Sequence, residues 1–173
     1  MNGSYISSNF IFAIIALTVS ACSTISTELT RIKDVVIVHL RKPGERMILP
    51  PNTVWEKAEC KDHEVPLISI EQYQVIPYII RPGSSFSQRL IYSLCTNKRG
   101  DEILGSLYTR IYFRSRSIIT DRDSNYAMKP GKWRLDRIID IPTDATPGVY
   151  SIEMEFQSSK LKFKERRSLV IES

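Results

Sequence analysis

Gly148–Phe156 reads G-V-Y-S-I-E-M-E-F, and its alternation decides the fold. Tyr150, Ile152, Met154 and Phe156 fall on one side of an extended chain, and Ser151, Glu153 and Glu155 on the other. That is the period of a strand with one face against a core. Leu107–Phe113 repeats it, with Leu107, Thr109, Ile111 and Phe113 opposed to Tyr108, Arg110 and Tyr112. Working outward, Pro, Gly, Asn and Asp separate further strand-like runs. Asp34–Leu40 is closed by Lys42-Pro43-Gly44, and Thr53–Cys60 follows. Leu67–Ile80 is broken by Pro77 and ended by Arg81-Pro82-Gly83. Phe86–Cys95 and Glu102–Thr120 flank the turn Asn97–Asp101, and Gly131–Ile141 and Lys160–Ile171 complete the series. No stretch after residue 31 keeps a 3.6 period, so helices longer than a turn or two are not expected. A chain of 173 residues, 42% hydrophobic and 25% charged, has material for about one domain. The reading is all-β: an antiparallel sandwich of about seven to eight strands. Its expected core includes Val36, Trp55, Leu90, Tyr92, Ile111, Phe113, Tyr150, Ile152, Met154 and Phe156.

Ile141-Pro142-Thr143-Asp144-Ala145-Thr146-Pro147-Gly148-Val149-Tyr150 leads into that strand. It resembles the proline-led linker and penultimate strand of bacterial immunoglobulin-like sandwich domains, where Pro-Gly-x-Tyr opens an alternating strand. Pro147 sets φ, Gly148 supplies the permissive position, and the resemblance implies that Tyr150 caps the sandwich as a tyrosine corner does. It implies a fold and no function.

No charged side chain occurs before Glu28, and Phe10–Val19 is an unbroken apolar run. That run is too short for a bilayer core, which needs about 20 apolar residues, and matches the apolar region of a signal peptide. Val19-Ser20-Ala21-Cys22 resembles the lipobox of bacterial lipoproteins. The resemblance implies a signal peptide over residues 1–21 and a Cys22 that carries diacylglycerol and an acyl chain such as palmitate. A polar tether over residues 22–31 and the sandwich domain over residues 32–173 then follow. Ser23, in place of an aspartate, implies lipid anchoring at the outer membrane, facing the periplasm or the cell surface. Met1–Asn9 departs from the pattern by lacking Lys and Arg, which leaves a buried helix or an uncleaved anchor as the other readings. Beyond Cys22 the chain holds an even pair, Cys60 and Cys95, suited to a disulfide in an oxidising compartment or to two buried thiols.

Catalytic material is thin. Cys60, Asp62, His63 and Glu64 lie close together, but C-x-x-H gives two metal ligands where a structural zinc site needs four. A solvated loop is the plain reading. His39, the other histidine, sits on an apolar run without a neighbouring carboxylate or thiol. Neither G-x-S-x-G, H-E-x-x-H nor a glycine-rich phosphate loop occurs. The expectation is a protein that is not an enzyme and holds no metal or cofactor.

Basic residues carry the remaining signal. Lys98–Arg137 has ten Lys and Arg against five Asp and Glu, and Lys160–Arg167 has five against one, within a chain of net charge +5. Lys160, Lys162, Lys164 and Arg166 recur at i, i+2 and so share one face, with Arg110 and Arg114 in a second row interleaved by Tyr108 and Tyr112. Such rows protect an edge strand from pairing or bind an anionic partner: lipid headgroup, acidic glycan or acidic protein. The implied address argues against nucleic acid. Together these readings predict a membrane-anchored, non-catalytic structural or accessory component of a cell-envelope assembly. The alternative is a lipoprotein inhibitor or exclusion factor, of the kind a mobile element encodes, that blocks an envelope enzyme or phage receptor.

Overall fold

A computed structural model describes residues 44–172. Asp34–Leu40, Val36, His39, Cys22 and the tether lie outside the described residues. Among the described residues nine strands and one α-helix follow one another: β1 (Gly44–Leu49), α1 (Pro51–Lys57), β2 (Leu67–Ile76), β3 (Ile79–Ile80), β4 (Ser85–Cys95), β5 (Ile103–Phe113), β6 (Arg116–Met128), β7 (Gly131–Asp140), β8 (Gly148–Gln157) and β9 (Lys162–Ile171). They build a four-stranded sheet, β1-β7-β4-β2, facing a five-stranded sheet, β3-β9-β8-β5-β6. All neighbours are antiparallel except β3 and β9. Placing β2, β4 and β7 in one layer and β5, β8 and β9 in the other is the strand partition of an immunoglobulin-like sandwich. The Tyr150 hydroxyl donates to Thr146 O at 2.7 Å, forming the tyrosine corner.

The alternating residues meet between the sheets. Leu90, Leu107, Leu135, Ile139, Ile152, Met154 and Phe156 are fully buried, with Tyr92, Ile111 and Tyr150 nearly so. Trp55 and Phe113 differ from expectation: each is half-buried and packs against the margin of its cluster. Gly105 shows why the core admits no extra atom there, since a Cβ would stand 2.5 Å from the Phe156 ring and from Gln157 O.

Two local readings are corrected and one strand is added. Gly44–Leu49, which starts at the glycine of the Lys42-Pro43-Gly44 punctuation, is a strand on the β7 edge. Thr53–Cys60 is no strand: Pro51 occupies the first turn of α1, where its missing N–H costs nothing. A 3-10 turn, Cys60–Asp62, follows the helix. Glu102–Thr120 is two strands, because Arg114 and Ser115 both take positive φ (48° and 65°) and reverse the chain in a two-residue hairpin. Asn-Gly marks such turns; Arg-Ser does not.

Cys60 and Cys95 are joined in a disulfide, with Cα atoms 5.9 Å apart. It pins the 3-10 turn to the end of β4 and forms a third cluster with Val54, against which Trp55 and Leu67 pack.

Candidate functional site: the outer face of the five-stranded sheet

Strand register dictates what gathers on the solvent side of the five-stranded sheet. Tyr108 and Lys164 lie opposite Glu155 on either side of β8, and Arg110 and Arg166 lie opposite Glu153 in the same way. Arg122 of β6 lies opposite Tyr108. Four strands therefore contribute to one polar surface.

Its centre is a pair of buried carboxylates. Glu153 is 1% exposed and Glu155 is 5%, although both point away from the core. Arg166 reaches Glu153 Oε2 through Nη2 at 2.5 Å and Nε at 3.0 Å. Arg110 donates to Glu153 Oε1 at 3.0 Å and also to Glu155. The Tyr112 hydroxyl adds a bond to Glu153 at 3.1 Å. Lys164 stands 3.3 Å from Glu153, and Lys162 stands 3.7 Å from Glu155. Burial alone raises both carboxyls. Bonds from Arg166, Arg110 and Tyr112 outweigh it at Glu153, and those from Arg110 and Gln157 do so at Glu155, leaving both below the usual carboxylate range. Reciprocally, these carboxylates hold the Arg110 and Arg166 guanidiniums above their ordinary value.

Aromatic rings complete the face. Arg166 lies over Tyr112 at 4.2 Å, and Tyr108 is flanked by Arg110 at 4.6 Å and Arg122 at 5.4 Å. Two carboxylates are shared among Arg110, Lys162, Lys164 and Arg166, so positive charge is left over. The Lys162 and Lys164 side chains remain 65% and 51% exposed. Oriented guanidiniums beside exposed ammonium groups that share those carboxylates suit carboxylate, phosphate or sulfate oxygens.

The predicted residues sort as follows. Lys162, Lys164, Arg166 and Arg110 come together. Lys160 does not: it is exposed in the β8–β9 turn, where Ser158 Oγ accepts from its N–H at 3.2 Å. There it rims a hollow of about 380 Å³ lined also by Asn97, Asp101 and Glu102. Arg114 leaves its row because β5 ends at Phe113; its guanidinium lies 5.1 Å from the Phe113 ring. Glu153 and Glu155 were read only as an outward face; their i, i+2 alternation was visible, but the register that sets them against Arg110, Lys164 and Arg166 was not. His63 is exposed, and among the described residues no cluster of three metal-binding side chains occurs.

A second polar set lies between the sheets. Gln88 Nε2 donates to the Tyr73 hydroxyl at 2.7 Å, which donates to Ile152 O at 3.3 Å. Thr109 Oγ1 donates to Gln88 Oε1 at 3.3 Å and accepts from Arg137 Nη1 at 2.7 Å. Arg137 is 2% exposed and reaches Asp121 at 3.4 Å. Burial lowers the Arg137 guanidinium, and Asp121 opposes that shift. This chain ties β2, β4, β5, β7 and β8 across the core.

No family model and no curated protein matches the chain. Among solved structures it is similar to an alkylpurine DNA glycosylase from Pseudomonas fluorescens, at 10% identity and a TM-score of 0.45, over 61% of this chain and 30% of that one. It is similar also to a sporulation control protein from Bacillus subtilis, at 9% identity and 0.44, over 61% and 49%. A family 123 glycoside hydrolase from Clostridium perfringens gives 11% and 0.41, over 76% and 27%. The chain thus spans less than half the length of each. Among the described residues no helix is long and apolar enough to cross a membrane.

Proposed function

We propose that this chain is an envelope lipoprotein, anchored through Cys22 at the outer membrane, that works by binding and not by catalysis. One observation carries the binding half: Lys162, Lys164, Arg166 and Arg110 share a face with Tyr108 and Tyr112, and two carboxylates do not neutralise them. The lipobox resemblance supports the anchor, and the Cys60–Cys95 disulfide fits an oxidising compartment. The tether holds the sandwich near the membrane, and the sheet meets an acidic partner surface within an envelope assembly. Lipid headgroups or an acidic glycan offer the same chemistry to the same cations.

Two substitutions test the two halves separately. Cys22→Ser is expected to move the protein out of the membrane fraction. Lys162→Gln with Lys164→Gln is expected to weaken partner capture from solubilised envelopes, and added salt is expected to mimic it, since attraction of this kind is screened over about 10 Å at 0.1 M. Exposed pairs contribute only about 0–1 kcal/mol, so melting should hardly change. Capture that survives both the substitutions and high salt contradicts the binding half and leaves the lysines as edge protection.

A further inference from the structure

Among the described residues, β9 is an edge strand for most of its length. β3 pairs with it only at Val170 and Ile171, where Val170 N donates to Tyr78 O at 2.8 Å and Glu172 N to Ile80 O at 2.9 Å. In an antiparallel strand, alternate N–H groups point the same way. The N–H groups of Lys164, Arg166 and Ser168 therefore face the side that β3 leaves open, away from β8. Among the described residues nothing accepts from them. Beside this edge, between β9 and β2, lies a groove of about 230 Å³ lined by Tyr73, Gln74, Val75, Ile76, Tyr78, Arg167 and Ser168. Arg167 lies 5.6 Å from the Tyr73 ring and donates to the edge carbonyl Arg166 O at 2.8 Å. On the other side of the same strand stand Lys162, Lys164 and Arg166.

We infer that the open stretch of β9, Lys162–Ser168, accepts an extended segment of a partner protein as an added strand. The inference rests on the binding reading above and names its mode. Main-chain pairing supplies affinity without sequence demand, and the side chains flanking the edge set the preference. On the outer face the incoming strand lies beside Lys162, Lys164 and Arg166, so its outward residues are acidic. On the inner face it lies over the groove at Tyr73, Val75 and Tyr78, so its inward residues are apolar. The partner segment alternates Glu or Asp with Val, Ile or Phe. Arg167 occupies one edge carbonyl in the free protein, and the added strand replaces that bond with a main-chain one.

The test uses the full chain in detergent and a fluorescent peptide of alternating Glu and Val. One control has the same composition with the residues in two blocks, and the other carries N-methyl groups on alternate amides. The alternating peptide is expected to bind about tenfold more tightly than either control, a difference of about 1.4 kcal/mol. It is also expected to slow hydrogen exchange at the amides of Lys164, Arg166 and Ser168. Ser168→Pro removes one edge donor that the fold does not use, which an edge strand tolerates; it should preserve melting and weaken binding by a similar factor. Equal affinity for the block peptide, or unchanged exchange at those three amides, overturns strand addition and reduces the interaction to charge. Binding to phosphatidylglycerol vesicles without peptide binding overturns it in favour of a lipid surface. Failure of the alternating peptide to bind a chain lipidated at Cys22 defeats this inference alone, whereas edge binding by a membrane-extracted chain that carries no lipid on Cys22 defeats only the anchor.

Discussion

Glu153 sits under Arg110, Lys164, Arg166 and the Tyr112 hydroxyl, and its charge holds that part of the face together. Its folded value is depressed, as is that of Glu155, so both contribute stability above the unfolded carboxylate value of about 4.3 and lose it as pH falls through the folded value. Thermal melting followed from pH 7 downward should decline steeply in the acid range, and Glu153→Gln should make that decline shallower. A variant as acid-sensitive as the parent contradicts the assignment. The buried chain between the sheets makes a separate demand. Gln88→Leu leaves the Tyr73 hydroxyl and Thr109 without their partner in a dry core, and denaturant unfolding should report a loss of about 1–3 kcal/mol.

Elements were legible where their signal is local. β8 announces itself through Tyr150, Ile152, Met154 and Phe156, and the corner bond of Tyr150 follows from Pro147-Gly148 directly ahead. Truncating Phe156, buried beside Tyr126 and Phe163, should cost about 3–5 kcal/mol by denaturant unfolding. The β5–β6 hairpin was not legible, because Arg114-Ser115 adopts a geometry that glycine or asparagine normally signals. A left-handed serine costs about 1–2 kcal/mol relative to its ordinary basin, so Ser115→Gly should stabilise the chain by about 1 kcal/mol in the same measurement. The burial of Glu153 and Glu155 was hidden for another reason. Period 2 assigns a face, but only the neighbours supplied by β5 and β9 decide whether that face is wet. Likewise Lys160 keeps the spacing of the basic row and yet falls in a turn, since the strand begins at Lys162.

Across the whole molecule, the two sheets, the disulfide and the cationic face serve one arrangement: a small sandwich that presents one sheet outward. The Cys60–Cys95 bridge closes a separation of 35 residues, for which chain entropy predicts about 4 kcal/mol. Reduction should therefore lower the denaturant midpoint markedly without erasing the strand signal in circular dichroism. Val19-Ser20-Ala21-Cys22 resembles a lipobox, and the proposed anchoring of the domain at a membrane surface is the claim on which the rest of the proposed function depends. Intact-mass analysis of the full chain, expressed in a Gram-negative host and extracted from membranes, tests it most directly. The account predicts a mature protein beginning at Cys22 with a diacylglycerol and acyl adduct on that residue. A chain still beginning at Met1, or one cleaved elsewhere with no lipid on Cys22, contradicts it.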